Sequence, residues 1–154
     1  MKILGIDSAT KTGWAICDGG EITASGVKDF TKKRGESNGI LYLKFRKWLR
    51  EMILEHDIDA VCYEQAHHRG GAATALCVNL TGRIEEVSED LGKDYKPVHS
   101  ATLKKFATGH GKATKEAMIA TINARRFEAG ALALITDDNE ADACWLALYL
   151  DVII

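Results

Sequence analysis

A chain of 154 residues, 46% apolar and 27% charged, fits one domain, 1–154, with enough apolar material for a core that needs no disulfide staples. A formal net charge of -2 excludes nucleic-acid binding by overall charge and leaves only a local basic groove for that purpose. No apolar run approaches the roughly 20 residues of a membrane span, and no signal-peptide pattern precedes the first apolar segment, so a cytoplasmic protein without a membrane partner is expected.

The first stretch, Lys2–Ala15, reads KILGIDSATKTGWA. Ile3, Leu4 and Ile6 form a short strand leading to Asp7, Ser8 to Gly13 supply a polar turn, and Trp14 to Cys17 resume the apolar run, which predicts a hairpin. An ionised Asp so near a core is costly unless it is paired or holds a cation. Gly19-Gly20 marks a turn and Glu21–Val27 a third strand, so three antiparallel strands open the fold. Residues 31–39, TKKRGESNG, form a polar loop. From Ile40 the period changes: Leu41, Phe45, Trp48, Leu49 and Met52 recur at helical spacing, predicting an amphipathic helix that ends near His56.

Asp57–Glu64, DIDAVCYE, is a run of strand length that follows this helix, the pattern of a parallel crossover. Glu64 then falls at the carboxyl end of a strand parallel to the first, the edge where open α/β sheets place their sites. His67, His68 and Arg69 follow. Adjacent side chains diverge, so the two histidines do not share a metal, and the segment reads as a solvated or DNA-facing loop. Ala72–Leu91 forms a second helix whose face includes Ala73, Leu76, Leu80, Ile84 and Val87, small enough at one end to pack on a sheet or on a second copy. Tyr95–His99 contains the only proline, Pro97, which points to an edge strand.

Ser100 or Thr102 can cap a short helix, Leu103–Ala107; a loop, Thr108–Ala113, follows it. Thr114 caps the next helix, with Glu116 in its first turn and Met118, Ile119 and Ile122 on its apolar face. Thr136–Asn139 is a run of cap-forming residues and Glu140–Ile154 continues as an apolar helix. Asp142 heads the stripe of Trp145, Leu146, Tyr149 and Ile153. Ala141 and Ala143 flank it, leaving room for the helix to approach the sheet and carry this carboxylate toward Asp7 and Glu64.

Cys17, Cys62, Cys77 and Cys144 are dispersed without a CxxC pair in apolar surroundings, and read as small core residues. Lysines and arginines gather in three clusters: Lys32 to Arg34, Lys44 to Arg50, and Lys104 to Lys115. The second lies on a helix and reads as a solvated face. The third has glycines interleaved, and lysines beside a glycine-rich turn and a helix start can hold phosphate.

Asp7, Glu64 and Asp142 each end or head an apolar segment, and together they form a site if those ends converge. Such a group repels itself when dry and ionised, and hard divalent cations relieve the repulsion. An all-carboxylate set favours magnesium or manganese over zinc. Two such ions about 3.5 to 4 Å apart are the standard arrangement for displacement at a phosphodiester.

The order of LGIDSATKTGWA, the YEQ of Tyr63 to Gln65, LKKFATGHGKATKEAM and NEADA from Asn139 resembles the ribonuclease H-like nucleases, specifically RuvC-like crossover-junction endodeoxyribonucleases, over nearly the whole chain. The resemblance implies an α/β ribonuclease H-like fold, with a mixed five-stranded sheet of three antiparallel strands then two parallel ones, flanked by helices. It implies a homodimer that binds a four-way DNA junction and nicks two strands symmetrically, using two Mg2+ ions per site, with Mn2+ as a substitute and no organic cofactor. Asp7, Glu64 and Asp142 would be the metal-binding acids, Asp7 bridging both ions, and Lys115 would act beside them. Lys104, Lys105, Lys112 and Lys115, with His67, His68 and Arg69, would contact DNA.

Two positions depart from the family pattern. Asn139 stands where a fourth acidic or His ligand is usual, with Asp138 as its substitute, and His67 or His68 stands where an aromatic wedge is usual. The compact chain resembles phage-encoded members, implying a bacterial or phage-infected cell. The first loop also resembles that of sugar kinases and actin, but those need a second domain for which this chain has no room. The Gly109–Lys112 segment is not a P-loop, because its glycines are too close and Ala113 follows the lysine. A junction-binding protein that has lost cleavage, and a nuclease for other branched DNA or RNA/DNA hybrid, are the competing readings.

Overall fold

A computed structural model describes residues 1–66 and 70–154. Five strands, β1 (Lys2–Asp7), β2 (Lys11–Asp18), β3 (Glu21–Asp29), β4 (Ala60–Glu64) and β5 (Asp94–Val98), lie in the order β3-β2-β1-β4-β5. β1, β2 and β3 are antiparallel neighbours, whereas β4 runs parallel to β1 and β5 parallel to β4. The expected mixed sheet is therefore present, and Pro97 lies on the edge strand.

Side chains alternate across a strand, so each face of the sheet collects one parity. Leu4, Ile6, Val61 and Tyr63 pack under α1 (Asn38–Glu55) and α2 (Ala72–Asp90). Ile3, Ala15, Cys17, Ala60 and Cys62 pack under α5 (Asp138–Ile153), with α3 (Ser100–Thr108) and α4 (Lys115–Glu128) beside it. Asp7 and Glu64 continue the second parity. Both acids thus belong to the α5 face, at the carboxyl end of their strands.

Several boundaries differ from the sequence reading, each for a local reason. The first turn is shorter, since β2 already begins at Lys11; the buried Thr12 hydroxyl donates to the Ala9 carbonyl at 2.7 Å and closes the turn. β3 extends to Asp29 rather than Val27, pairing there with Lys11. α1 starts at Asn38, because Ser37 Oγ accepts the Ile40 N–H. Asp57 turns the chain with φ 52° and the Asp59 carboxylate accepts the Lys2 N–H at 2.7 Å, so β4 begins only at Ala60. β5 lies one residue earlier than expected at each end.

α3 begins at Ser100 with His99 in the cap position and no side-chain cap, where Leu103 had been expected as the first residue. Thr114 caps α4 as expected. α5 starts two residues before Glu140, because Asp137 accepts the Glu140 N–H at 3.0 Å, which takes Asp138 and Asn139 into the first turn. No helix among the described residues is long and apolar enough to cross a membrane.

Candidate metal and nucleic-acid site

The approach of α5 to the sheet is permitted by glycine. On β1, a Cβ at Gly5 would lie 2.1 Å from the Ala143 carbonyl oxygen, and on β2 a Cβ at Gly13 would lie 2.0 Å from that of Asn139. Backbone therefore packs on backbone at both points. Three polar ties fix the start of the helix: the Asn139 amide Nδ2 donates to the Lys11 carbonyl at 2.9 Å, Ser25 Oγ donates to Glu140 at 2.7 Å, and Asp137 caps the first turn.

With the helix held there, Asp142 meets the strand ends. One carboxylate oxygen from each of Asp7, Glu64 and Asp142 lies within 4.8 Å of the others, and all three residues are half-buried. Burial, and then the charges of Glu64 and Asp142, raise the Asp7 carboxyl well above the usual range. Asp142 is pushed up to about 7, mainly by burial and then by Glu64, against the opposing pull of the Asp7 hydrogen bond and the Lys104 cation. Proton retention is one way to relieve such a cluster. A hard divalent cation is the other, and three convergent oxygens with no His or Cys among them suit it.

Around the acids the chain places its other candidates unequally. Asp138 adds repulsion to Asp7 and Asp142, and Lys115 Nζ stands 3.6 Å from the Asp138 carboxylate. Lys104 acts on Asp142. Asn139 spends its amide N–H on the Lys11 carbonyl. Lys105 and Lys112 are exposed. His67, His68 and Arg69 lie outside the described residues.

An open cleft beside the acids is lined by Ser8, Gln65, Ala73, Thr74 and Cys77, together with Asp7 and Glu64. Sequence reasoning placed Cys77 in the core. Instead it is half-buried, its thiol lies 3.5 Å from the Ser8 carbonyl, and burial and the charges of Asp7 and Glu64 push its pKa up. The available signal was the spacing of Ala73, Thr74 and Cys77, which share one helical face.

No family model matches the chain. The crossover junction endodeoxyribonuclease RuvC of Rickettsia conorii is 29% identical to it over 153 residues, which cover 96% of this chain and 94% of the relative. The chain is a homologue of RuvC. RuvC of Rickettsia rickettsii (strain Sheila Smith) is 28% identical with the same coverage. Among solved structures, Thermus thermophilus RuvC in complex with a Holliday junction substrate superposes with a TM-score of 0.79 at 19% identity, over 96% of this chain and 91% of that one. Fowlpox virus resolvase with Holliday junction DNA gives 0.66 at 13% identity, over 100% of this chain and 99% of that one. The RuvC-like chain has the ribonuclease H-like fold of these proteins, with the carboxylates of Asp7, Glu64 and Asp142 converging at its sheet edge.

Proposed function

We propose that this RuvC homologue is a structure-specific endonuclease that resolves four-way DNA junctions by metal-dependent hydrolysis of phosphodiester bonds in two strands. The observation that carries the reading is the convergence of Asp7, Glu64 and Asp142 at one sheet edge of a chain aligned with RuvC over 96% of its length. Asp7, Glu64 and Asp142 would hold the ions, Mg2+ by preference because the donors are hard oxygens, with Asp138 rather than Asn139 as the further ligand. Bound divalent ions supply charge neutralisation, an activated water and stabilisation of the leaving oxygen.

The chain's own residues do the rest. Asp7, whose carboxylate lies within 4.8 Å of those of both Glu64 and Asp142, would be the ligand shared by two ions. Lys104 and Lys115, at the acids' rim, bind the scissile phosphate and offset charge developing on its oxygens. Symmetric nicking requires two such sites, so the working form is a homodimer, joined through helix faces that include the exposed Ala73 and the half-buried Leu76 of α2. A monomer in light scattering at working concentration overturns paired nicking.

The deciding experiment is cleavage of a synthetic four-way junction beside matched linear duplex and RNA/DNA hybrid, with magnesium, manganese or chelator. Paired, metal-dependent nicks confined to the junction are expected. Tight junction binding without nicks makes the chain a binding protein, and cleavage of the hybrid keeps the chemistry but replaces the substrate.

A further inference from the structure

Residues 28–47 hold seven lysines and arginines against two acids, in a chain whose net charge is -2. The topology delivers this segment to the catalytic edge. β3 runs in the same direction as β1, and where β1 ends at Asp7, paired with Gly13 of β2, β3 ends at Asp29, paired with Lys11. Strands two apart in a sheet are separated by roughly 10 Å, or about three nucleotides at about 3.4 Å of rise per nucleotide. The Phe30 N–H donates to the Thr10 carbonyl at 2.7 Å, which holds the following loop against the turn after Asp7. Thr10, Thr31 and Lys32 line one side of a second cleft next to that turn.

An ordinary solvated surface mixes its signs. α1 does so, pairing Arg46 with Glu86 and Arg50 with Asp90 of α2. The loop before it does not. Its two acids are engaged locally: Asp29 accepts the Thr31 N–H at 2.8 Å, and Glu36 accepts Lys44 at 2.7 Å and the Lys33 N–H at 2.6 Å. Lys32 reaches only the neutral Asn38 amide oxygen, and among the described residues neither it, Lys33 nor Arg34 forms an ion pair.

We propose that Lys32, Lys33 and Arg34 form a second phosphate-binding track, which grips the substrate backbone beyond the cleavage site on the side away from Lys104 and Lys115. The track rests on the nuclease reading above and adds to it where the substrate leaves the acids. Lys104 and Lys115 belong to helices on the α5 face, whereas this loop leads into α1 on the opposite face. DNA held at both places would straddle the sheet edge.

The test is junction binding by fluorescence anisotropy, with chelator to stop cleavage, over a series of salt concentrations for the wild type and the triple variant K32Q/K33Q/R34Q. Each phosphate contact contributes about 0.9 to the slope of log affinity against log salt, so the triple variant is expected to lose about 2 to 3 from that slope and to bind about tenfold or more weakly. The single variants K33Q and R34Q, which alter one exposed side chain each, are expected to lose about 0.9 apiece at an unchanged melting temperature. Unchanged slopes beside a wild type that binds junctions overturn the track and leave the nuclease reading intact. A wild type that binds no DNA overturns both.

Discussion

A Cβ on Gly13 would lie 2.0 Å from the carbonyl oxygen of Asn139, so the first turn of α5 rests directly on the backbone of β2. Gly13 pairs with Asp7 across the hairpin, and Asn139 stands one helical turn before Asp142. The absence of one side chain therefore sets the separation of two carboxylates. Gly13→Ala is expected to push the helix outward, lowering stability by about 1 to 3 kcal/mol and the melting temperature by several degrees, and to weaken metal binding as Asp142 withdraws. Gly82, in α2 with nothing within 4 Å of an added Cβ, is the control: Gly82→Ala should raise stability by about 0.5 to 1 kcal/mol and leave metal binding alone. Calorimetric melting and a Mn2+ titration of the same variants read out both effects.

The acids give the metal-free protein a pH dependence of definite sign. Asp142 is raised from the ordinary 3.8 to about 7 and Asp7 is also raised, so the folded state binds protons more tightly than the unfolded chain. The associated stability is fully present below the unfolded carboxylate range and is lost as pH rises through about 7. Melting temperature in chelator is thus expected to fall between pH 5 and pH 8, and saturating Mg2+ should oppose the fall by replacing protons with a cation. A flat profile in chelator counts against three mutually repelling acids.

Asp7→Asn separates chemistry from binding. The amide keeps the shape of the side chain and removes its charge from the centre of the cluster, while the lysines around the cleft stay in place. Cleavage should disappear and junction affinity in chelator should change by less than about threefold. The same substitution should flatten the stability profile above pH 6, because one of the repelling charges is gone. Loss of junction binding to the degree that cleavage is lost would contradict a purely metal-holding role for Asp7.

Much of the site was legible because it follows from parity and strand direction. An acid at the end of each of two parallel strands, on the same alternation as Ile3 and Ala60, must emerge on one face of one edge. The small residues beside Asp142 signalled a close helix, but not where it would rest, because Gly5 and Gly13 acquire meaning only from residues some 130 positions away. Gly13 was accordingly read as part of a turn. Cys77 was misplaced for a related reason: an apolar neighbourhood along a helix does not say which residues face a cleft. The start of α5 was missed because Thr136, Asp137, Asp138 and Asn139 are all competent caps, and the choice is made by Ser25 and Lys11 of the distant strands.

That choice separates the roles of Asp138 and Asn139. Asn139 donates its amide to the Lys11 carbonyl at 2.9 Å, a tie between helix and strand, whereas Asp138 faces the acids and Lys115. Asn139→Ala should therefore cost about 1 kcal/mol of stability through the lost hydrogen bond, with little direct effect on metal affinity. Asp138→Asn should do the reverse, leaving the melting temperature within a degree or two and weakening Mn2+ binding several-fold, because it removes a carboxylate beside the cluster without touching the cap at Asp137. Isothermal titration with Mn2+ alongside thermal melting distinguishes the two. If Asn139→Ala weakens metal binding at unchanged stability while Asp138→Asn has no effect, the amide oxygen of Asn139 is the ligand and its tie to Lys11 only orients it.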